Sequence, residues 1–151
     1  MKRWICLLLA LGLCAACAFA EEGGAFTLSF DEGFSLDLPA GWVSYPAGED
    51  GIRYALGDGT GTRYLYILAQ PAAFEDFEAL QAAVGRRQNC ETTSALNLNG
   101  QRFTAFIASD LNASGCATLL GGEQLTFLFT PQDDRDYMLV VAEIMASFRL
   151  R

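Results

Sequence analysis

Apolar and polar positions alternate through Phe26-Thr27-Leu28-Ser29-Phe30 and again through Phe34-Ser35-Leu36-Asp37-Leu38. Period two marks a strand with one buried face. Asp31-Glu32-Gly33 between the runs supplies a turn, so the pair reads as a hairpin. Pro39-Ala40-Gly41-Trp42 closes it, because proline offers no N–H to a ladder and glycine permits the turn. Tyr45 to Gly51 reads as a loop. Ile52 to Leu56 and Thr62 to Gln70 read as the next two strands, joined through Gly57-Asp58-Gly59-Thr60-Gly61. Tyr64 to Leu68 are β-formers in succession, and that unbroken apolarity predicts a central strand covered on both faces.

At Pro71 the period lengthens. Phe74, Phe77, Leu80 and Val84 fall on one helical face. Glu75, Asp76 and Glu78 crowd the beginning and Gly85-Arg86-Arg87 the end, as the helix dipole and a C-cap favour, which predicts a helix over Pro71 to Val84. Strands return with Thr92 to Leu98 and Arg102 to Ser109 around Asn99-Gly100, a strong hairpin signal. Asp110 to Gly115 reads as a polar loop, then Cys116 to Leu120 and Gln124 to Thr130 as strands about Gly121-Gly122. Thr130-Pro131 predicts a helix start, a cap-type residue before proline at the first helical position. Met138, Val141, Met145 and Phe148 continue it at helical spacing, against a rival strand over Tyr137 to Val141. The sum is a single α+β domain without internal repeats.

The N-terminus sets a compartment. Lys2 and Arg3, an apolar run from Ile5 to Leu13 and Ala18-Phe19-Ala20 before Glu21 follow the secretory signal pattern. The expectation is a signal peptide over residues 1–20, a domain over 21–151, and a secreted or periplasmic protein that does not insert in the membrane after cleavage. Cys14 and Cys17 lack the Leu-small-small spacing of a lipoprotein site, so a lipid anchor is the lesser alternative. Beyond residue 20, eight arginines stand against eighteen acidic residues, a net charge of −10, with no lysine and no histidine. Such a charge repels phosphate backbones and argues against nucleic-acid partners.

The missing residue types also narrow the chemistry. Without histidine there is no Ser-His-Asp or Cys-His pair. Without lysine there is no Schiff base, Ser-Lys dyad or P-loop. Tetrahedral zinc sites draw on Cys and His, and only Cys90 and Cys116 remain in the domain. No metal or other cofactor is expected. An even cysteine count in an exported chain predicts a Cys90–Cys116 disulfide, worth about 3–4 kcal/mol in the chain-entropy model. Two buried free thiols are the alternative.

The order of these elements, with Leu38-Pro39-Ala40-Gly41-Trp42 after the opening hairpin and Ser147-Phe148 after the last helix, resembles the PsbP-like group. That group includes a photosystem II extrinsic protein, a nuclear-transport Mog-type factor and many small exported bacterial proteins. The resemblance implies an antiparallel sheet flanked by two helices, an α-β-α sandwich. It implies binding or assembly factors rather than enzymes, and it supplies no catalytic residues. A lipocalin-like β-barrel with a helix is the alternative fold.

Candidate chemistry is sparse. Asp110-x-Asn112-x-Ser114-Gly115 imitates the opening of a calcium loop, but Gly121 stands where its closing acid belongs. Asn112-Ala113-Ser114 fits a glycosylation sequon by chance. The glycines at 57, 59 and 61 lack the lysine and helix of a phosphate cradle. Glu49-Asp50 with Asp58 is the weak candidate for a carboxylate hydrolase pair. Asp133, Asp134 and Asp136 suit a helix N-terminus better than a cation. The aromatics Trp42, Tyr45, Tyr54, Tyr64 and Tyr66 are the candidate binding face, since Tyr and Trp join apolar area to a polar tip. Arg53 and Arg63 lie near them in sequence. The functional expectation is a non-enzymatic factor for an envelope or extracellular protein partner. The alternative is a small-molecule carrier with an apolar pocket.

Overall fold

The computed structural model describes residues 24–47 and 51–151. The signal-peptide reading of residues 1–20 and the Glu49–Asp50 pair lie outside them. In chain order the elements are β1 (Phe26–Phe30), β2 (Phe34–Leu38), β3 (Val43–Tyr45), β4 (Ile52–Gly57), β5 (Tyr64–Pro71), α1 (Phe77–Gly85), β6 (Cys90–Leu98), β7 (Gln101–Ala108), β8 (Ala113–Leu120), β9 (Glu123–Thr130), α2 (Arg135–Ala146) and β10 (Arg149–Leu150). A 3-10 turn, Ser109–Leu111, links β7 to β8.

The opening hairpin is in the register its alternation demands, from Phe26 opposite Leu38 to Phe30 opposite Phe34. β10 extends it on the β2 side into a three-stranded sheet. The other strands form an antiparallel seven-stranded sheet in the order β3-β4-β5-β9-β8-β7-β6. It is open, with β3 and β6 at its edges, so the barrel alternative does not hold. β3 falls where the sequence suggested only the end of a turn and the start of a loop.

The sheet has two working faces. On the inner face Leu56, Leu65, Ile67, Phe103, Cys116, Leu125, Phe127 and Phe129 pack under the small sheet and α2, which contributes Tyr137, Ile144 and Met145. On the outer face Phe106, Ala108 and Ala117 pack under α1 through Leu80 and Val84. The helices therefore lie on opposite sides, the α-β-α layering expected. α1 covers only the β6–β8 part of its face. For that reason β5 is buried on one side and half-exposed on the other, not covered on both as its apolarity suggested.

Both helix starts differ from the sequence expectation. β5 runs on through Pro71, paired with Glu123, so α1 begins later, at an Asp76 cap whose side chain accepts from the Ala79 N–H at 2.8 Å. Thr130 is held by β9, opposite Tyr64, and precedes a cis Thr130–Pro131 bond. The cap of α2 is Asp134, which accepts from the Tyr137 N–H at 3.0 Å. Either carboxylate satisfies a backbone donor that the first helical turn leaves unpaired. The rival strand over Tyr137 to Val141 is α-helix.

The expected disulfide is absent. Cys90 and Cys116 are free thiols, and the register explains why. Cys90 pairs with Ala108, whose side chain faces outward, whereas Cys116 pairs with Phe127 on the inner face. A bridge would have to pass through the sheet, which disulfide geometry forbids. Burial pushes the Cys116 thiol well above its ordinary value. Peptide mapping after alkylation without reductant should therefore find Cys90 modified in the native protein and Cys116 modified only in denaturant. A Cys90–Cys116 crosslinked peptide would contradict the register.

Candidate binding face

Cross-strand partners share a face of the sheet. Tyr64 stands opposite Gly57 and Thr130, and Tyr66 opposite Ala55 and Leu128. Across the next ladder, Val43 and Tyr45 stand opposite Gly57 and Ala55. All of these therefore project from the outer face, on the part that α1 leaves uncovered, and none is charged. The three tyrosine rings form a ladder. Tyr45 and Tyr64 have centroids 5.7 Å apart, and Tyr64 and Tyr66 stack at 5.8 Å with planes 11° apart. Gly57 makes room for them. A Cβ there would come within 2.9 Å of the Tyr45 ring and 3.1 Å of the Tyr64 ring. The Tyr64 hydroxyl donates to the Gly61 carbonyl at 2.9 Å, which fixes its ring. Burial, with the neighbouring Tyr64 and Tyr45, raises the Tyr66 hydroxyl above its ordinary range.

Beside Tyr66 the face deepens into a groove of about 300 Å³. Leu68, Leu128 and Phe106 line it, and residues Arg87 to Cys90 wall it where the chain leaves α1. Exposed Leu111 stands at its rim. Gly115 sets its depth, because the Phe106 ring occupies the space a Cβ there would need. Burial raises the Cys90 thiol against the opposing pull of Arg87, with Asp110 adding to the rise.

Trp42 and Tyr54 do not join this face. Trp42 is 5% exposed and packs in the inner core, with its ring 6.3 Å from that of Tyr137. Tyr54 stands opposite Ile67, meets Phe30 edge-on, and donates to Glu32 Oε2 at 3.0 Å. The two arginines are also committed. Arg53 lies between Glu32 and Glu123. Arg63 pairs with Asp134 at 2.8 Å and sits 5.6 Å from the Tyr137 ring centroid. Leu68, Phe106, Gly115 and Leu128 escaped the sequence reading. Only the shared parity of Tyr64, Tyr66 and Leu68 along β5 pointed to any of them.

The acidic groups have local roles. The Asp58 carboxylate accepts from the Thr60 N–H at 3.0 Å and from the Thr60 and Thr62 hydroxyls. Burial works against its charge, but those hydrogen bonds outweigh it and hold the group below the usual carboxylate range. Asp133 accepts from Asn112 Nδ2 at 3.0 Å. Asn112, left-handed, ends the 3-10 turn, and Ser114 and Gly115 already belong to β8. Among the described residues no group of three His, Cys, Asp or Glu side chains is placed to hold a metal ion, and no helix is long and apolar enough to cross a membrane. What the outer face can offer a ligand is apolar contact, ring faces and hydroxyl hydrogen bonds.

No protein-family model and no curated protein matches the sequence. In three dimensions the chain is similar to the solution structure of cyanobacterial PsbP (CyanoP) from Synechocystis sp. PCC 6803. The TM-score is 0.61 at 15% identity, covering 90% of this chain and 98% of that one. Likeness at that identity speaks for the fold alone. With its antiparallel sheet between two helices, matched over nearly its whole length, the chain has a PsbP-like fold.

Proposed function

We propose that this protein is an exported, non-enzymatic binding or assembly factor that holds an envelope or extracellular protein partner against its tyrosine face. The observation that carries this reading is the Tyr45–Tyr64–Tyr66 ladder, Tyr45 tilted against a stacked Tyr64–Tyr66 pair, on an uncharged half-face that α1 leaves open. On a chain with a net charge of −8, an uncharged aromatic patch is the surface least costly to desolvate, and tyrosines are preferred anchors at interfaces. Export rests on the pattern of the first 20 residues. The absence of catalysis rests on a domain without histidine or lysine.

The groove beside Tyr66 supports a second reading, a small-molecule carrier. Its volume of about 300 Å³ is at the lower end for sites that enclose a ligand. Being continuous with the ladder through Leu128, it suits one anchoring side chain of a docked partner better.

Crosslinked capture from the native envelope fraction tests both. Tyr64→Ala with Tyr66→Ala should weaken the partner by roughly 30-fold or more, the loss of a hot spot, with unchanged circular dichroism. Tyr45→Ala, on the short edge strand, should do so more mildly. Capture unaffected by any of these would refute the tyrosine face. A small molecule carried in the native mass spectrum and lost in the double variant would favour the carrier.

A further inference from the structure

The groove beside Tyr66 is apolar at one end and carries two opposite charges at the other. Leu68 on β5 and Leu128 on β9 line the first end, and the Phe106 ring on β7 lies between the two. Arg87, from the segment after α1, and Asp110, from the 3-10 turn after β7, line the second. Cys90 stands at that same end, and its thiol feels both charges, Arg87 pulling its titration down and Asp110 pushing it up. The two segments are pinned together, because the Ser109 N–H donates to the Asn89 carbonyl at 3.0 Å and Cys90 pairs with Ala108. Yet the charges do not satisfy each other. Arg53, Arg63, Arg102 and Arg149 each hold a carboxylate, whereas among the described residues Arg87 and Asp110 form no ion pair.

We propose that the groove binds an apolar α-amino acid, with its side chain on Leu68, Phe106 and Leu128, its carboxylate at Arg87 and its ammonium at Asp110. Charge complementarity selects this occupant. An α-amino acid carries both charges on one carbon at one end and its apolar part at the other, as the groove does. A monocarboxylate would oppose Asp110 and approach against a net charge of −8, and a simple amine would oppose Arg87. A wholly apolar molecule would take water from both charges and return nothing. Size agrees. At about 30 Å³ for each water-sized atom, the groove holds on the order of ten non-hydrogen atoms, the size of leucine or phenylalanine. A groove that accepts one side chain of a partner accepts the same side chain on a free amino acid. The inference therefore rests on that reading of the groove and not on the tyrosine ladder.

Isothermal titration calorimetry with L-phenylalanine reads the binding directly. Phenylpropionate lacks the ammonium, phenethylamine lacks the carboxylate and glycine lacks the apolar body. Phenylalanine should bind, and each of the three should bind more weakly by roughly tenfold or more, the loss of a charge-assisted hydrogen bond or of the apolar contact. Phenylalanine should also slow alkylation of Cys90 in the native protein. Arg87→Gln should leave phenylalanine no better than phenethylamine, and Asp110→Asn no better than phenylpropionate. Both side chains are exposed, so far-UV circular dichroism should stay as in the wild type. Absence of heat at about 10 mM phenylalanine overturns the inference. So does phenylpropionate or phenethylamine binding as tightly as phenylalanine, or an affinity that neither variant lowers. Capture of a protein partner is read separately, so a groove that rejects phenylalanine leaves the tyrosine face standing.

Discussion

Replacing Phe34 with alanine should destabilise the protein by about 3–5 kcal/mol, the range for truncating a buried aromatic residue. Phe34 is fully buried in the small sheet, where that sheet meets the large one. Its ring stacks on Phe30 at 4.5 Å and on Phe148 at 5.4 Å, and meets Phe127 edge-on at 5.6 Å. One side chain thus joins β1, β2, β9 and the segment after α2. Its loss leaves a cavity that backbone ladders on both sides prevent from collapsing. Phe34→Leu, which keeps most of the volume, should cost less than half as much. Urea unfolding followed by far-UV circular dichroism measures both. Equal, small losses for the two variants would mean that this aromatic cluster does not bind the layers together.

Gly115→Val should be the second costly change, by roughly 1–3 kcal/mol, as for overpacking a tight site. A Cβ at Gly115 would lie 2.6 Å from Phe106 Cζ and 2.8 Å from the Phe127 carbonyl oxygen. The carbonyl belongs to the neighbouring strand and cannot retreat, so the ring must move. Phe106 lines the groove, and its displacement should change the shape of the groove beside Leu128 as well as lower stability. The expected signature is therefore double: a lower urea midpoint and altered alkylation of Cys90 at the groove wall. Wild-type stability in the Gly115→Val variant would show that the floor of the groove is looser than these distances imply.

The elements most legible in the sequence were those whose signals are local. The β1–β2 hairpin follows from strict alternation about Asp31-Glu32-Gly33. Asn99 and Gly100, both with positive φ, turn β6 into β7 as their types predict. What failed depended on distant partners. β3 is a strand only because β4 supplies its ladder. Pro71 looked like the opening of a helix, yet pairing with Glu123 keeps it in β5.

The aromatic face was half legible for a related reason. Tyr64 and Tyr66 share a face by spacing alone, but Tyr54 was grouped with them wrongly. Ile52 stands opposite Leu68, and unbroken pairing would set Tyr54 opposite Tyr66. A bulge between Ile52 and Tyr54 shifts the register and sets it opposite Ile67, inside the core. The even cysteine count misled in the same way. Which side of a sheet each thiol occupies depends on ladder registers, and composition does not carry those.

The most direct test of the tyrosine face is site-specific photocrosslinking in the native envelope. A photoreactive phenylalanine analogue would replace Tyr45 in one variant and Leu139 in another. Leu139 is the more exposed of the two, at 66%, and lies on α2 on the opposite side of the sheet. A binding face at the tyrosines predicts a single adduct polypeptide from position 45, lost when Tyr64→Ala and Tyr66→Ala are added, and none from position 139. An adduct from position 139 with none from position 45 would contradict it.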